Sequence, residues 1–411
     1  MAAAETFVVV GAGLAGGRAV ETLRKEGFDG RIVLIGSEQH RPYNRPPLSK
    51  DYLRGEAKLD DVYEYDGDFA AANAIEQRLG STVDSIEVAD SRLVLDTGEQ
   101  IGFDRLLLAT GSEPRRLPGA DDTLAGVQYL RTIEDSDRLR TLIEQASRVV
   151  VVGAGWIGCE VAASARQLGR EVSLVAPISV PLEEVLGPEL GAVYRDIHAD
   201  HGVDLRLDTA VDGFVGSDGA VAGVRTSTGE VIAGDLVVVG IGVRPRTQLA
   251  ERAGLAVDNG VITDEHLVTS APGIYAAGDI ASTWYPFYGT HIRVEHWATA
   301  RSQGVSAAKN MMGTPAPYDR IPYFYSDQYD TGMEYSGHAT KWDRVVFRGD
   351  VGGRKFVAFW LDQDRVVAGL AMNVWKTTKP VEALIRSRQA VDVDRLTDES
   401  VPLTDLVPAS G

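Results

Sequence analysis

The sequence predicts an α/β protein: two parallel, doubly wound sheets, each entered through a glycine-rich turn, followed by a C-terminal α+β region of antiparallel strands. An internal echo carries the first half of that reading. Phe7-Val-Val-Val10 leads into Gly11-Ala-Gly13-Leu-Ala-Gly16, an amphipathic stretch and a second apolar run, Arg31-Ile-Val-Leu-Ile35. The same order returns as Val149-Val-Val-Val152, Gly153-Ala-Gly155-Trp-Ile-Gly158 and Glu171-Val-Ser-Leu-Val175. Continuous apolar runs suit strands covered on both faces, and strand, glycine turn, helix, strand is a βαβ crossover. A change of pattern carries the second half. Beyond the prolines from Pro315 to Pro322, aromatic and polar residues alternate, as in Lys355-Phe-Val-Ala-Phe-Trp-Leu361.

The elements between these landmarks follow in order. Arg41-Pro-Tyr-Asn-Arg-Pro-Pro-Leu-Ser-Lys50 is a stiff, proline-rich segment expected to end in a short helix capped by Ser49. Arg92 to Gly98 and Asp104 to Gly111 read as a hairpin returning into a buried strand. Ser112-Glu-Pro-Arg-Arg-Leu-Pro118 is rich in breakers and suits a domain crossover. Asp235-Leu-Val-Val-Val-Gly-Ile-Gly242 and Gly273-Ile-Tyr-Ala-Ala-Gly-Asp279 are further short strands that end in small-residue turns. The expected domains are therefore a discontinuous first one, 1–112 with 246–320, a second at 113–245, and a C-terminal one at 321–411.

Composition removes several classes of function. The 411 residues suffice for two or three domains, and 44% hydrophobic with 24% charged residues is ordinary for a globular protein. No apolar run approaches the roughly 18 to 20 residues that cross a bilayer, and no charged-then-apolar leader precedes Phe7. No membrane association is expected, and the location is expected to be cytoplasmic. Cys159 is the single cysteine, which excludes a disulfide framework, a cysteine-ligated cluster or zinc site, and a CxxC exchange pair. No metal site is expected, and Cys159 reads as packing inside a helix. The formal charge of −18 opposes nucleic-acid binding.

The two glycine turns are the strongest functional signal. In each, the first glycine permits the tight turn, the second lets backbone approach a pyrophosphate, and the third brings helix against strand, as in a Rossmann-like dinucleotide fold. Glu38, just past the second apolar run, supplies a carboxylate for ribose hydroxyls. The second unit ends Ser173-Leu-Val-Ala176-Pro177, with neither that acid nor an arginine for a 2′-phosphate. The choice between NADH and NADPH stays open there. Glu160 is expected in the first turn of the second helix, where the helix dipole favours an acid.

These motifs, with Pro46-Pro-Leu-Ser-Lys50, Leu107-Leu-Ala-Thr-Gly111, Tyr129-Leu-Arg-Thr132, Gly278-Asp279, Val294-Glu-His-Trp297, Ser326-Asp-Gln-Tyr329 and Asp398-Glu-Ser-Val-Pro-Leu403, span nearly the whole chain. In their order and spacing the chain resembles the FAD-dependent NAD(P)H:ferredoxin and rubredoxin reductases of the putidaredoxin reductase type, which serve oxygenases and cytochromes P450. The resemblance implies a glutathione-reductase-like plan. FAD would lie against Gly11, Gly13, Ala15, Gly16, Glu38, Arg45, Lys50, Val83, Ala109, Thr110, Gly111, Arg131, Asp279 and Trp297. Asp279 is read as standing at a further helix start, and Trp297 would lie against the isoalloxazine. The nicotinamide dinucleotide would take Gly153, Gly155, Trp156, Ile157, Gly158, Glu160, Gly240, Ile241 and Gly242. Lys50 and Glu160 would form an ion pair beside the flavin N5 and act as the catalytic residues, because a fixed lysine stabilises the charge that hydride arrival builds. Tyr323-Phe-Tyr325 stands where family members often carry tryptophan, so sheet packing is the economical reading of those rings.

The expected acceptor is a small iron–sulfur protein, a ferredoxin or rubredoxin. It would dock near Arg293, Arg301, Lys309 and Arg320 on a monomer or weak homodimer, since two acidic proteins need a local basic face. Two other functions share the two-nucleotide plan: reduction of a quinone or monodehydroascorbate, and redox signalling of the apoptosis-inducing-factor kind. Coenzyme A disulfide reductase and water-forming NADH oxidase need a cysteine after Glu38, where this chain has Ser49.

Overall fold

The computed structural model describes residues 5–120 and 122–407. The chain forms two compact units, one of Met1–Asn44, Leu59–Glu113 and Arg244–Pro322, the other of Arg45–Lys58, Pro114–Val243 and Tyr323–Gly411. Two unit boundaries lie where the sequence carries breakers, between Glu113 and Pro114 and between Pro322 and Tyr323.

In the first unit the valine-rich run Thr6–Val10 is the centre of a five-stranded parallel sheet. Its neighbours are Arg31–Gly36 and then Ile75–Leu79 on one side, Arg105–Leu108 and then Ile274–Ala276 on the other. Phe7 and Val9 face helices Leu14–Lys25 and Trp297–Met311 in one apolar layer. Val8 and Val10 face the opposite way, into a layer with the antiparallel strands Val83–Glu87, Arg92–Leu95 and Gln100–Gly102. Burial on both faces is why this strand shows no polar alternation. The hairpin legible in the sequence is Arg92–Leu95 with Gln100–Gly102, and the chain then returns into the parallel sheet as Arg105–Leu108.

The second unit repeats the plan. Arg148–Val152 is the centre of a parallel sheet, flanked by Glu171–Val175 and Asp204–Arg206 on one side and Leu236–Val239 and Val127–Gln128 on the other. The last stretch folds as a five-stranded antiparallel sheet in the order Tyr323–Gln328, Thr331–Gly337, Arg365–Met372, Lys355–Asp362, Arg344–Asp350. It shares one apolar core with the second parallel sheet, in which Val149, Val151 and Val238 join Phe324, Tyr335 and Trp360. Strand Lys355–Asp362 is buried continuously from Phe356 to Leu361 rather than alternately. Its second face is covered by helix Thr378–Ser387, whose Val381 packs at Gly369 beside Phe359. No helix among the described residues is long and apolar enough to cross a membrane.

Candidate functional site

The first glycine turn is built as its sequence demands. Gly11 has φ +118°, and a Cβ on it would stand 2.1 Å from the Ala109 carbonyl oxygen; one on Gly16 would stand 2.0 Å from the Gly11 carbonyl oxygen. Gly13 differs: a Cβ there meets nothing within 4 Å. It is the N-cap of helix Leu14–Lys25 and makes no side-chain cap, so its own side chain satisfies none of the helix's first amides. Two glycines are thus required by packing, and Gly13 is not.

The second turn repeats this. Gly153 has φ +105°, and a Cβ on it would stand 2.4 Å from the Gly240 carbonyl oxygen; one on Gly158 would stand 1.9 Å from the Gly153 carbonyl oxygen, and one on Gly155 would meet nothing within 4 Å. Gly155 caps helix Trp156–Gln167, again without a side-chain cap. The donor set of both cradles, uncapped amides at a helix start, is that of a pyrophosphate site.

The other expected residues of the first unit are placed as follows. Glu38 lies two residues past strand Arg31–Gly36 and accepts from the Tyr43 hydroxyl at 2.6 Å. Val83 and Ala109 are buried, and the Ala109 amide donates to the Val10 carbonyl. Thr110 Oγ1 donates to the Arg246 carbonyl at 3.1 Å, and the Arg246 amide donates to the Gly111 carbonyl. Ala15 is buried in the helix that Gly13 caps. Asp279 is not at a helix start: it lies in a turn from strand Ile274–Ala276 into strand Ala281–Tyr285. The small-residue turn read from the sequence is there, but it lets the chain reverse into a second strand instead of opening the helix that the resemblance implied. The carbonyl of Asp279 accepts from Arg293, and burial pushes the nearby His296 imidazole down to about 4, against the opposing charge of Asp279. Trp297 opens helix Trp297–Met311, and its Nε1 donates to Asn44 Oδ1 at 2.5 Å.

Of the four cations expected to form a docking face, Arg293 is 10% exposed and paired with Glu295, and Lys309 pairs with Glu26 at 3.0 Å. Arg301 and Arg320 are exposed. The Arg301 guanidinium lies 5.2 Å from the Trp297 ring centre.

In the second unit Trp156 packs edge-on against Phe324 and Tyr194, while Ile157 is exposed. Gly240, Ile241 and Gly242 follow strand Leu236–Val239; the Gly240 amide donates to Val152, and the Gly242 carbonyl accepts from the Arg115 amide. Ala176 is buried. The Arg45 guanidinium donates to the Arg131 carbonyl, and the Arg131 amide donates to the Asp135 carboxylate of a capping box.

Lys50 and Glu160, 110 positions apart, come together. Lys50 Nζ is 3.8 Å from Glu160 Oε1, and both side chains are buried, at 8% and 7% exposed. Glu160 stands in the second turn of its helix rather than the first, so the helix dipole does not account for it. Both its oxygens accept hydroxyl hydrogen bonds, from Ser49 at 2.5 Å and Ser326 at 2.7 Å. Ser49 is not the N-cap of a following helix either. It ends the short 3₁₀ turn Pro46–Ser49, its hydroxyl turned to Glu160 and its carbonyl accepting from Ser164. Two consecutive prolines stiffen the turn, and buried bonds to neighbouring helices fix it, which makes a local cap unnecessary.

Asp327 approaches Lys50 at 3.4 Å, and Tyr325 presents its ring 4.8 Å from the ammonium. Burial alone would lower the Lys50 pKa; Glu160, then Asp327 and Tyr325, outweigh it and hold it above the ordinary 10.5. Of the rings Tyr323-Phe-Tyr325, Phe324 packs in the sheet core, stacked on Tyr335, whereas Tyr325 faces Lys50. Single-chain reasoning missed Asp327, Ser326, Gln328 and His198 as parts of this cluster. A signal was present, because Phe324, Ser326 and Gln328 share one face of a strand by period 2, and two of the three are polar at core positions.

Cys159 is fully buried, its thiol pushed up by burial, and it packs. Among the described residues no cluster of His, Cys, Asp or Glu could hold a metal ion.

Two glycine-turn cradles on two parallel sheets, in a chain whose single cysteine leaves no thiol pair, have the architecture of a two-nucleotide oxidoreductase. Comparison with known proteins makes the assignment specific: the chain belongs to the pyridine nucleotide-disulphide oxidoreductase family, whose model matches residues 5–304, and a reductase C-terminal model matches 323–407. The chain is 39% identical over 406 residues to the 5,5′-dehydrodivanillate O-demethylase ferredoxin reductase subunit of a Sphingobium species, covering 98% of each chain. It is 38% identical to the anthranilate 1,2-dioxygenase system ferredoxin–NAD(+) reductase component of Burkholderia cepacia, covering 97% of this chain and 98% of that one. Among solved structures, the reductase of a covalent putidaredoxin reductase–putidaredoxin complex superposes with a TM-score of 0.94 at 37% identity, over 98% of each chain.

Proposed function

We propose that this protein is a ferredoxin reductase, passing electrons from a reduced nicotinamide dinucleotide through FAD to a small iron–sulfur ferredoxin that feeds an oxygenase or a cytochrome P450. The observation that carries the reading is the pair of open cradles at Gly13 and Gly155 in a chain similar, over nearly all its length, to reductases named for that reaction.

FAD suits the first unit, where Gly11, Gly13 and Gly16 shape the turn and Glu38 waits for a ribose. The nicotinamide dinucleotide suits the second, at Gly153, Gly155 and Gly158. FAD bound in the first unit would accept a hydride and, unlike nicotinamide, could release the two electrons one at a time. The chain's own task is placement and charge. Lys50, held cationic by Glu160 and Asp327, offers a fixed positive group at the reacting end, and the two serine hydroxyls keep Glu160 from drifting. Arg301 and Arg320 are the exposed cations that an acidic ferredoxin would meet in a protein of net charge −18. The working form is a monomer or weak homodimer in the cytoplasm.

Steady-state assays with NADH and NADPH against a panel of ferredoxins, a quinone and ferricyanide test the reading. The expected result is a yellow protein that reduces at least one ferredoxin far faster than the quinone. A colourless protein that takes up no flavin, or one that reduces the quinone and no ferredoxin, refutes it.

A further inference from the structure

We infer that Gln328 and His198 are positioning residues that hold Ser326, and through it Glu160, in register with Lys50. The inference rests on the reading of Lys50 and Glu160 as the pair at the reacting end.

The geometry is a continuous line of hydrogen bonds. Ser326 Oγ is 2.7 Å from Glu160 Oε1, Gln328 Nε2 is 3.4 Å from Ser326 Oγ, His198 Nε2 is 3.0 Å from Gln328 Oε1, and the Tyr329 hydroxyl is 3.2 Å from His198 Nδ1. Each donor is fixed by the one before it. Ser326 has one proton and gives it to the Glu160 carboxylate, so its oxygen accepts from the Gln328 amide. The Gln328 carbonyl then takes the proton on His198 Nε2, which leaves Nδ1 to accept from Tyr329. All donors run toward Glu160, from helix Glu183–Asp200 through strand Tyr323–Gln328 to helix Trp156–Gln167.

Packing alone does not require this line. Phe324 already fills the same strand face, and an apolar residue at 326 or 328 would pack without needing partners. Yet Ser326, Gln328 and His198 are all buried there, His198 completely. Buried polar groups are tolerated only when satisfied, and then they specify one arrangement. Burial also pushes the His198 imidazole down to about 4, so it stays neutral and one ring nitrogen remains able to accept. At the outer end, His201 stacks on Tyr329 with ring centres 3.6 Å apart, which locks that ring.

The test uses the flavin-loaded full chain and two readouts, the rate of flavin reduction by NADH in stopped flow and the midpoint potential of the bound flavin. Ser326→Ala is expected to slow reduction about ten-fold, the effect of losing one hydrogen bond to a charged group. Gln328→Leu and His198→Asn should move both readouts in the same direction by a smaller factor. The double variant of Ser326→Ala with Gln328→Leu should match Ser326→Ala alone within about two-fold, because Gln328 acts only through Ser326. Should Gln328→Leu fail to fold, Gln328→Met serves, since it nearly keeps the volume and has no N–H to donate. Multiplied effects in the double variant, or wild-type rate and potential in both Gln328→Leu and His198→Asn, overturn the inference while leaving the Lys50–Glu160 reading intact. If Lys50→Met also leaves both readouts unchanged, the underlying reading falls with it.

Discussion

Replacing Lys50 by methionine, which keeps most of the stem and removes the charge, separates its electrostatic role from its packing. At 3.8 Å from Glu160, with an effective dielectric near 20, the lost attraction is about 4 kcal/mol. The Asp327 side chain is 55% exposed, so its closer contact adds under about 1 kcal/mol after screening. Against these losses, the variant no longer buries an ammonium, a penalty of several kcal/mol. Glu160 keeps both serine donors, so the net destabilisation should be about 1 to 3 kcal/mol and the variant should fold. The rate should suffer more than the fold: one lost preorganised group facing developing charge is worth about 100- to 1,000-fold. Urea unfolding and stopped-flow reduction by NADH measure the two effects. Because the folded pKa of Lys50 lies above 10.5, its contribution is complete below that value and vanishes only as pH climbs past the raised one. The stability gap between wild type and variant should therefore be flat from about pH 7 to 10 and close above that. A flavin-loaded variant reduced within about three-fold of the wild-type rate would show that Lys50 is not at the reacting centre, whatever its stability.

The two kinds of glycine in the turns should behave oppositely. Gly13→Ala should keep the apoprotein's stability within about 1 kcal/mol but weaken FAD uptake more than about ten-fold, whereas Gly16→Ala, meeting backbone at 2.0 Å, should cost the apoprotein more than about 2 kcal/mol. Calorimetry of the apoprotein and flavin titration distinguish them, and equal stability losses would contradict the assignment. His198, lowered to about 4 by burial, should subtract stability as pH falls from about 6.5 to 4, because the unfolded chain takes the proton first. His198→Asn should flatten that part of the stability–pH curve, and an unchanged slope refutes it. Iodoacetamide should leave native protein active and Cys159 unlabelled, as judged by mass spectrometry, since that thiol is buried and its pKa raised. Charge reversal at Arg301 and Arg320 should slow ferredoxin reduction and flatten its salt dependence while sparing ferricyanide reduction; parallel loss of both activities places docking elsewhere.

What the sequence showed, and what it hid, divides along chain separation. Gly11 and Gly153 were legible because a positive φ and a backbone contact leave few alternatives to glycine, and the valine runs were legible because both faces of each strand are covered. Asp279 and Ser49 were misjudged because small or hydroxyl residues beside prolines and glycines suit several local structures. Tertiary neighbours, strand Ala281–Tyr285 for one and Glu160 for the other, decided between them. Lys50 and Glu160 could be paired only through the family resemblance, since no local rule joins positions 110 apart. Asp327, Gln328 and His198 stayed hidden for the same reason, although the polar residues at 326 and 328 on an otherwise apolar strand face were a readable anomaly.

The second unit gathers its polar interior from three remote lengths of chain, Arg45–Lys58, Pro114–Val243 and Tyr323–Gly411. During synthesis Glu160 therefore leaves the ribosome long before Ser326, Gln328 and Asp327 exist to receive it. Until the final strands are made, the segment around it must keep that carboxylate in water, and the parallel sheet beneath remains without part of its cover. A chain stopped short of Tyr323 should consequently behave as an aggregation-prone fragment rather than a smaller reductase, which puts the burden of quality control on the last fifth of translation.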